Sequence, residues 1–108
     1  MNFKEYQDLA VKTAIYGEGQ NIIYPALGLG NEAGEVLGKV KKVLRDNKGE
    51  FTPELNSKIA DEIGDVLWYM AALARDLDVS LEDIAQSNIN KLLDRQKRGV
   101  IHGSGDNR

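Results

Sequence analysis

Apolar positions recur at three- and four-residue intervals in four blocks, separated by polar or glycine-rich breaks. In the first block Phe3, Tyr6, Ala10, Thr13 and Ala14 share one side of a helix. Asn2 is placed to cap it, with Glu5 three residues on as the reciprocal partner. Gly17-Glu18-Gly19-Gln20-Asn21 breaks this helix. The second runs from about Pro25 to Arg45, with a stripe of Leu29, Ala33, Val36, Leu37, Val40 and Leu44, and Asp46-Asn47-Lys48-Gly49 ends it. The third opens at Thr52 and Pro53, an N-cap and first-turn pair, and reaches about Leu77. Its stripe is Ile59, Ile63, Val66, Leu67, Met70, Leu73 and Ala74. Ser80 and Asp83 start the fourth, which carries Ile84, Ile89, Leu92 and Leu93 to about Arg98. Both prolines fall where helices should begin, and no segment alternates strictly as a half-buried strand would. The pattern predicts an all-α, four-helix-bundle-like protomer over residues 1–98. Residues 99–108 form a glycine-rich polar tail, floppy by composition.

One stretch exceeds what a single amphipathic face needs. Val66 to Ala74 is apolar almost all round, and Trp68 lies opposite the main stripe. A small bundle is not expected to cover such a helix alone, so the reading is a homo-oligomer, a dimer at minimum, with a tetramer compatible with the apolar first helix. Trp68 then reads first as an interface residue and second as a base-stacking one.

Composition narrows the chemistry. The 108 residues fit one domain, and the absence of cysteine excludes disulfides, zinc–thiolate sites and thiol nucleophiles. A net charge of −3 with mixed signs argues against a nucleic-acid binder. No stretch approaches membrane-spanning length and the first residues contain no apolar signal region, so the expected location is cytoplasmic.

The strongest internal signal is a repeat. Asn31-Glu32-Ala33-Gly34-Glu35-Val36-Leu37 matches Asp61-Glu62-Ile63-Gly64-Asp65-Val66-Leu67 at an offset of 30 residues. At roughly 100° per residue, acids three apart lie on one helix face. In both copies the first acid borders the apolar stripe and the second stands one step further out. Paired antiparallel, the two helices would direct four carboxylates into one groove. They would repel one another there unless a cation sat among them or some were protonated. Oxygen-only donors suit Mg²⁺, with Mn²⁺ as a substitute. Gly34 and Gly64 each cost roughly 1 kcal/mol relative to alanine, for which close helix approach or room for a phosphate is the expected reason. The bland alternative is a solvated acidic face. A di-iron carboxylate bundle is rejected, because it needs Glu-x-x-His on two helices and the lone histidine is His102, in the tail.

The pairs Glu32/Glu35 and Glu62/Asp65, with 26 residues between them, resemble the all-α nucleoside triphosphate pyrophosphohydrolases of the MazG type. Tyr24 to Leu29, Gly64 to Tyr69, Asn88 to Leu92 with Arg95, and the closing Gly103 to Arg108 are similar to short single-domain members. Many members carry a further Glu where this chain has Asn31. The resemblance implies Mg²⁺-dependent hydrolysis of a nucleoside triphosphate to monophosphate and pyrophosphate, for clearing unwanted nucleotides. It implies Glu32, Glu35, Glu62 and Asp65 as metal ligands and Lys91 and Arg95 as phosphate ligands. Glu35, further from the stripe, is the favoured general base. Asn88 shares the helix face of Lys91 and Arg95. Lys39 reads equally as a helix ion pair with Glu35 or as a phosphate contact. The tail is expected to fold over a site, its own or a neighbour's. The alternatives are a dUTP- or phosphoribosyl-ATP-hydrolysing relative, or a non-enzymatic helical oligomerisation module.

Overall fold

The computed structural model describes residues 1–17 and 19–108. It has four α-helices: α1 (Phe3–Ala10), α2 (Ile23–Asp46), α3 (Pro53–Asp76) and α4 (Leu81–Arg98). No strand occurs among the described residues. The three expected caps form. Asn2 Oδ1 accepts from the Glu5 amide at 2.8 Å, Thr52 Oγ1 from Leu55 at 3.2 Å, and Ser80 Oγ from Glu82 at 3.1 Å. Each satisfies an amide that has no partner inside its helix. Two boundaries differ from expectation. The first α-helix ends at Ala10 and tightens into a single 3-10 turn at Val11–Thr13. There the Thr13 hydroxyl donates back to the Ala10 carbonyl at 2.7 Å. The second starts at Ile23, leaving Pro25 inside the first turn, where its missing N–H costs nothing.

Helices α2 and α3 form an antiparallel hairpin, the principal packing of the chain. Its register is visible in side-chain pairs: Tyr24 and Gly28 meet Tyr69, and Lys39 reaches Glu62. A Cβ added at Gly28 would fall inside the Tyr69 ring, so only glycine lets the helices approach here. Gly34 and Gly64 have open space around them, which corrects the expectation that they permit close helix approach. Helix α1 lies on α3, and α4 touches α1 and α3 but not α2. The protomer is therefore a hairpin flanked on one side, rather than a closed bundle.

Two buried polar groups fasten the flanking pieces. Gln7, 7 % exposed, donates to the Ala71 and Val79 carbonyls at 3.3 and 3.1 Å and accepts from the Leu81 amide at 2.9 Å. One side chain thus joins α1 to the α3–α4 corner. At the same C-terminal end of α3, Asp76 accepts from the Tyr16 hydroxyl at 2.7 Å and the Ile22 amide at 2.9 Å, and pairs with Arg75 at 2.8 Å. These donors hold its carboxyl below the usual range despite burial. They pin the segment entering α2.

The run Val66–Ala74 is covered in part by the chain itself: Ala71, Ala72 and Ala74 are buried, and Trp68 and Leu67, half-buried, pack on the cluster of Ala10, Ala71 and Leu81, while Met70 stays exposed. Further uncovered apolar residues include Leu37, Leu44 and Ile63 on the hairpin, and Ile84, Ile89 and Leu93 on α4. The radius of gyration is 16.8 Å, against about 13 Å for a compact domain of this length. No helix among the described residues is long and apolar enough to cross a membrane.

Replacing Gln7 with Leu would leave the buried Leu81 amide and two carbonyls without their partner. The expected loss is about 1–3 kcal/mol of unfolding free energy in urea melts at fixed protein concentration. A variant as stable as wild type would remove Gln7 from this role.

Candidate metal centre

The antiparallel register sets Glu32 of α2 opposite Glu62 and Asp65 of α3. Each offers a carboxylate oxygen, and the three oxygens lie within 4.8 Å of one another. Glu32 and Glu62 are half-buried and Asp65 is exposed. Glu35 is exposed and stands outside this cluster. The sequence repeat is thus not reproduced as a symmetric site: both acids of α3 enter, but only the first of α2. Partial desolvation, then the charges of Asp65 and Glu62, hold Glu32 above the usual carboxylate range, with a smaller push from Glu35.

The crowding that raises the proton affinity of Glu32 is relieved by a cation. One cation is already adjacent, for Lys39 Nζ lies 3.8 Å from Glu62 Oε1. Lys39 therefore pairs across the hairpin rather than with Glu35 on its own helix. Three carboxylates with one partial counter-charge leave an uncompensated negative centre. Hard oxygen donors of this kind fit a divalent cation.

The acids open onto an aromatic wall. Glu32 and Asp65 line a groove of about 400 Å³ with Thr13, Trp68 and Tyr69. Thr13 and Trp68 also line a neighbouring hollow of about 370 Å³ with Ile15, Tyr16, Gln20 and Tyr24. The rings are ordered against one another. Tyr16 stacks on Tyr24 at 5.0 Å, Tyr24 lies 6.2 Å from Tyr69, and Trp68 meets Tyr69 edge-on at 5.0 Å. Trp68 Nε1 donates to Thr13 Oγ1 at 2.8 Å, fixing the indole plane against the 3-10 turn. A hydrogen bond to Tyr24, then burial, keep the Tyr69 hydroxyl above its ordinary range, so it stays a proton donor beside the acids.

Of the predicted positive groups, Lys39 adjoins the acids, and the α4 groups line a different hollow. Asn88 and Lys91 line a hollow of about 540 Å³ on α4 with Asp78, Asp83 and Ser87, and neither lines the acidic groove. Arg95 is 4 % exposed beneath the C-terminal segment. That segment is a run of turns folded on α4, unlike the floppy tail that composition alone suggests. It begins at Gly99, at φ +75°, where the Val100 amide closes on the Arg95 carbonyl at 2.9 Å. Asp106 then faces both cations, 3.4 Å from Lys91 Nζ and 3.5 Å from Arg95 Nη2. The two cations hold its carboxyl below the usual range.

The aromatic wall and Asp106 escaped sequence reasoning. The wall draws on the 3-10 turn, the segment before α2, α2 and α3, and no local spacing links residues 13, 16, 24 and 69. Only Trp68, apolar on the wrong side of its helix, signalled it.

Comparison with known proteins agrees with the geometry. The sequence pattern of the MazG nucleotide pyrophosphohydrolase domain matches residues 24–100, a span holding all four motif acids together with Lys91 and Arg95. The chain is 49 % identical over 114 aligned residues to the Gene 37 protein of Mycobacterium phage L5, covering both chains in full. No solved structure matches. The acid cluster on an α2–α3 hairpin and the match across most of the chain lead to one conclusion: the protein belongs to the MazG nucleotide pyrophosphohydrolase domain family.

Proposed function

We propose that this protein hydrolyses nucleoside triphosphates between the α and β phosphates, with Mg²⁺, or Mn²⁺ in its place, bound at Glu32, Glu62 and Asp65. The observation that carries this reading is the convergence of three carboxylates beside an aromatic-lined hollow. A reaction centre that would take a metal and a stacking surface for a base then adjoin across Thr13 and Trp68, which line both hollows. When bound, Mg²⁺ supplies neutralisation of phosphate charge and a more acidic water. The chain's own residues do the rest. Trp68, Tyr16 and Tyr24 present ring faces to a base, and Gln20 presents an amide to its edge. Glu35, outside the cluster and solvated, is the free carboxylate that takes the proton of the attacking water. Water adds across the α–β anhydride, leaving a monophosphate and pyrophosphate. Lys91, Arg95 and Asn88 receive phosphate oxygens, for which the planar guanidinium of Arg95 is well shaped. Lys39, paired with Glu62 in the free chain, would be a further positive charge for the phosphates once a metal takes up Glu62. Clearance of unwanted nucleotides is the cellular role this activity would serve.

The working form is proposed to be a homo-oligomer. The accessible surface of one copy is 7775 Å², whereas a compact monomer of 11.9 kDa exposes about 6,000 Å². The excess exceeds the roughly 800 Å² each partner contributes to a standard interface. Leu37, Leu44 and Ile63 supply the apolar part of that surface.

Three measurements test these statements. With Mg²⁺ and a panel of triphosphates, pyrophosphate should appear with at least one substrate and stop in EDTA; orthophosphate alone, or no release, would exclude the reaction and favour an oligomerisation module. Mn²⁺ binding followed by electron paramagnetic resonance should weaken at least about tenfold in Glu32→Gln, Glu62→Gln and Asp65→Asn. Glu35→Gln should keep the ion while losing about 10²–10⁴ in turnover; loss of Mn²⁺ there would make Glu35 a ligand instead of the base. Sedimentation equilibrium should give a dimer or larger species, and a monomer at micromolar concentration would refute the assembly.

A further inference from the structure

The C-terminal turns make a contact that the proposed reaction does not use. Arg95 Nη2 donates to the Asp106 carbonyl at 2.6 Å, and the Asp106 carboxylate bridges Arg95 and Lys91. The carboxylate is on the rim, 86 % exposed, while the guanidinium below it is buried. Arg95 Nε is buried with no hydrogen-bond partner. The tail thus fills a cationic seat without satisfying it. A buried guanidinium donor without an acceptor is costly, and a phosphate brings three oxygens where this carboxylate engages through one. The seat's resident ligand is a poorer match than a phosphate group.

The tail is also built to come and go as a unit. Arg108 folds back so that its guanidinium donates to the carbonyls of Val100 at 2.9 Å, Ile101 at 3.0 Å and Gly105. A Cβ at Gly103 would run into the Arg108 side chain, and Gly105 holds φ +81°. Arg98 Nη2 donates to the Arg108 carbonyl at 2.6 Å. Among the described residues, the side-chain hydrogen bonds of this segment run to α4 or within itself, and none to α1, α2 or α3. Lifting it would break the Lys91, Arg95 and Arg98 contacts and leave the other helices undisturbed.

We infer that residues 100–108 are an internal plug: Asp106 occupies the anion seat of Lys91 and Arg95, and a polyphosphate group must displace the tail to reach them. This rests on the reading of Lys91 and Arg95 as phosphate ligands. It adds that the free enzyme is self-blocked at this position.

Inorganic pyrophosphate in EDTA buffer probes the seat without metal or turnover. Hydrogen exchange of the peptide spanning 99–108 should speed up when pyrophosphate saturates the wild-type chain, and should not respond in Lys91→Met. Asp106→Asn should bind pyrophosphate about two- to fivefold more tightly by calorimetry, the scale expected for losing an exposed ion pair. Slower exchange on binding would make the tail a lid that closes over its ligand and would overturn the plug. Unchanged exchange with pyrophosphate bound, or no binding by either wild type or Asp106→Asn, would overturn it equally. Triphosphate turnover with an unresponsive tail sinks only the plug. A tail released by pyrophosphate in a chain that hydrolyses no triphosphate sinks only the proposed reaction.

Discussion

Helix α2 approaches α3 most closely where Gly28 passes under the ring of Tyr69. That contact fixes the antiparallel register, and the register decides which acids meet. One turn along from Gly28, Glu32 arrives opposite Glu62 and Asp65, so three like charges are gathered by packing that occurs beside them. The cost is visible in Glu32, whose proton affinity rises through desolvation and its neighbours' charges. Burial elsewhere on the hairpin and the Lys39–Glu62 pair hold an arrangement that electrostatics alone would open. Sites that spend stability in this way are where function is expected.

The same register seats the aromatic wall. Tyr69 serves both sides: its ring is the surface Gly28 packs against, and it lines the groove of Glu32 and Asp65. Asp76 ties Tyr16 and the start of α2 to the end of α3, and Trp68 is held by Thr13. Segments with no regular structure of their own thus become the second side of the groove.

Much of this was legible in the sequence because local rules governed it. Asn2, Thr52 and Ser80 cap where they should, since capping depends only on residues within a turn. The acid repeat gave an antiparallel pairing and put Glu32 and Glu62 at the edge of the apolar stripe, as found. What failed was longer in range. The sequence does not reveal that α1 and its 3-10 turn lie across part of Val66–Ala74, so it gave no sign that Ala71 and Trp68 are covered from within while Met70 is not. Of the two reasons read for Gly34 and Gly64, close helix approach and room for a phosphate, the first belongs to Gly28 instead, because that contact is decided by a ring 41 residues away. For the tail, expected to fold over a site, composition carries no sign that Arg108 would fold back on Val100 and Ile101. The repeat itself misled in one respect: two matching motifs need not contribute equally, and Glu35 stays outside the cluster.

The proposed reaction requires the α2–α3 hairpin to hold a divalent cation among Glu32, Glu62 and Asp65. A crystal structure with Mn²⁺, read from its anomalous scattering, tests this directly. The expected result is a peak bonded to an oxygen from each of the three side chains, at about 2.0–2.3 Å. A Mn²⁺ peak bound away from these carboxylates, or no peak at saturating Mn²⁺, would contradict it.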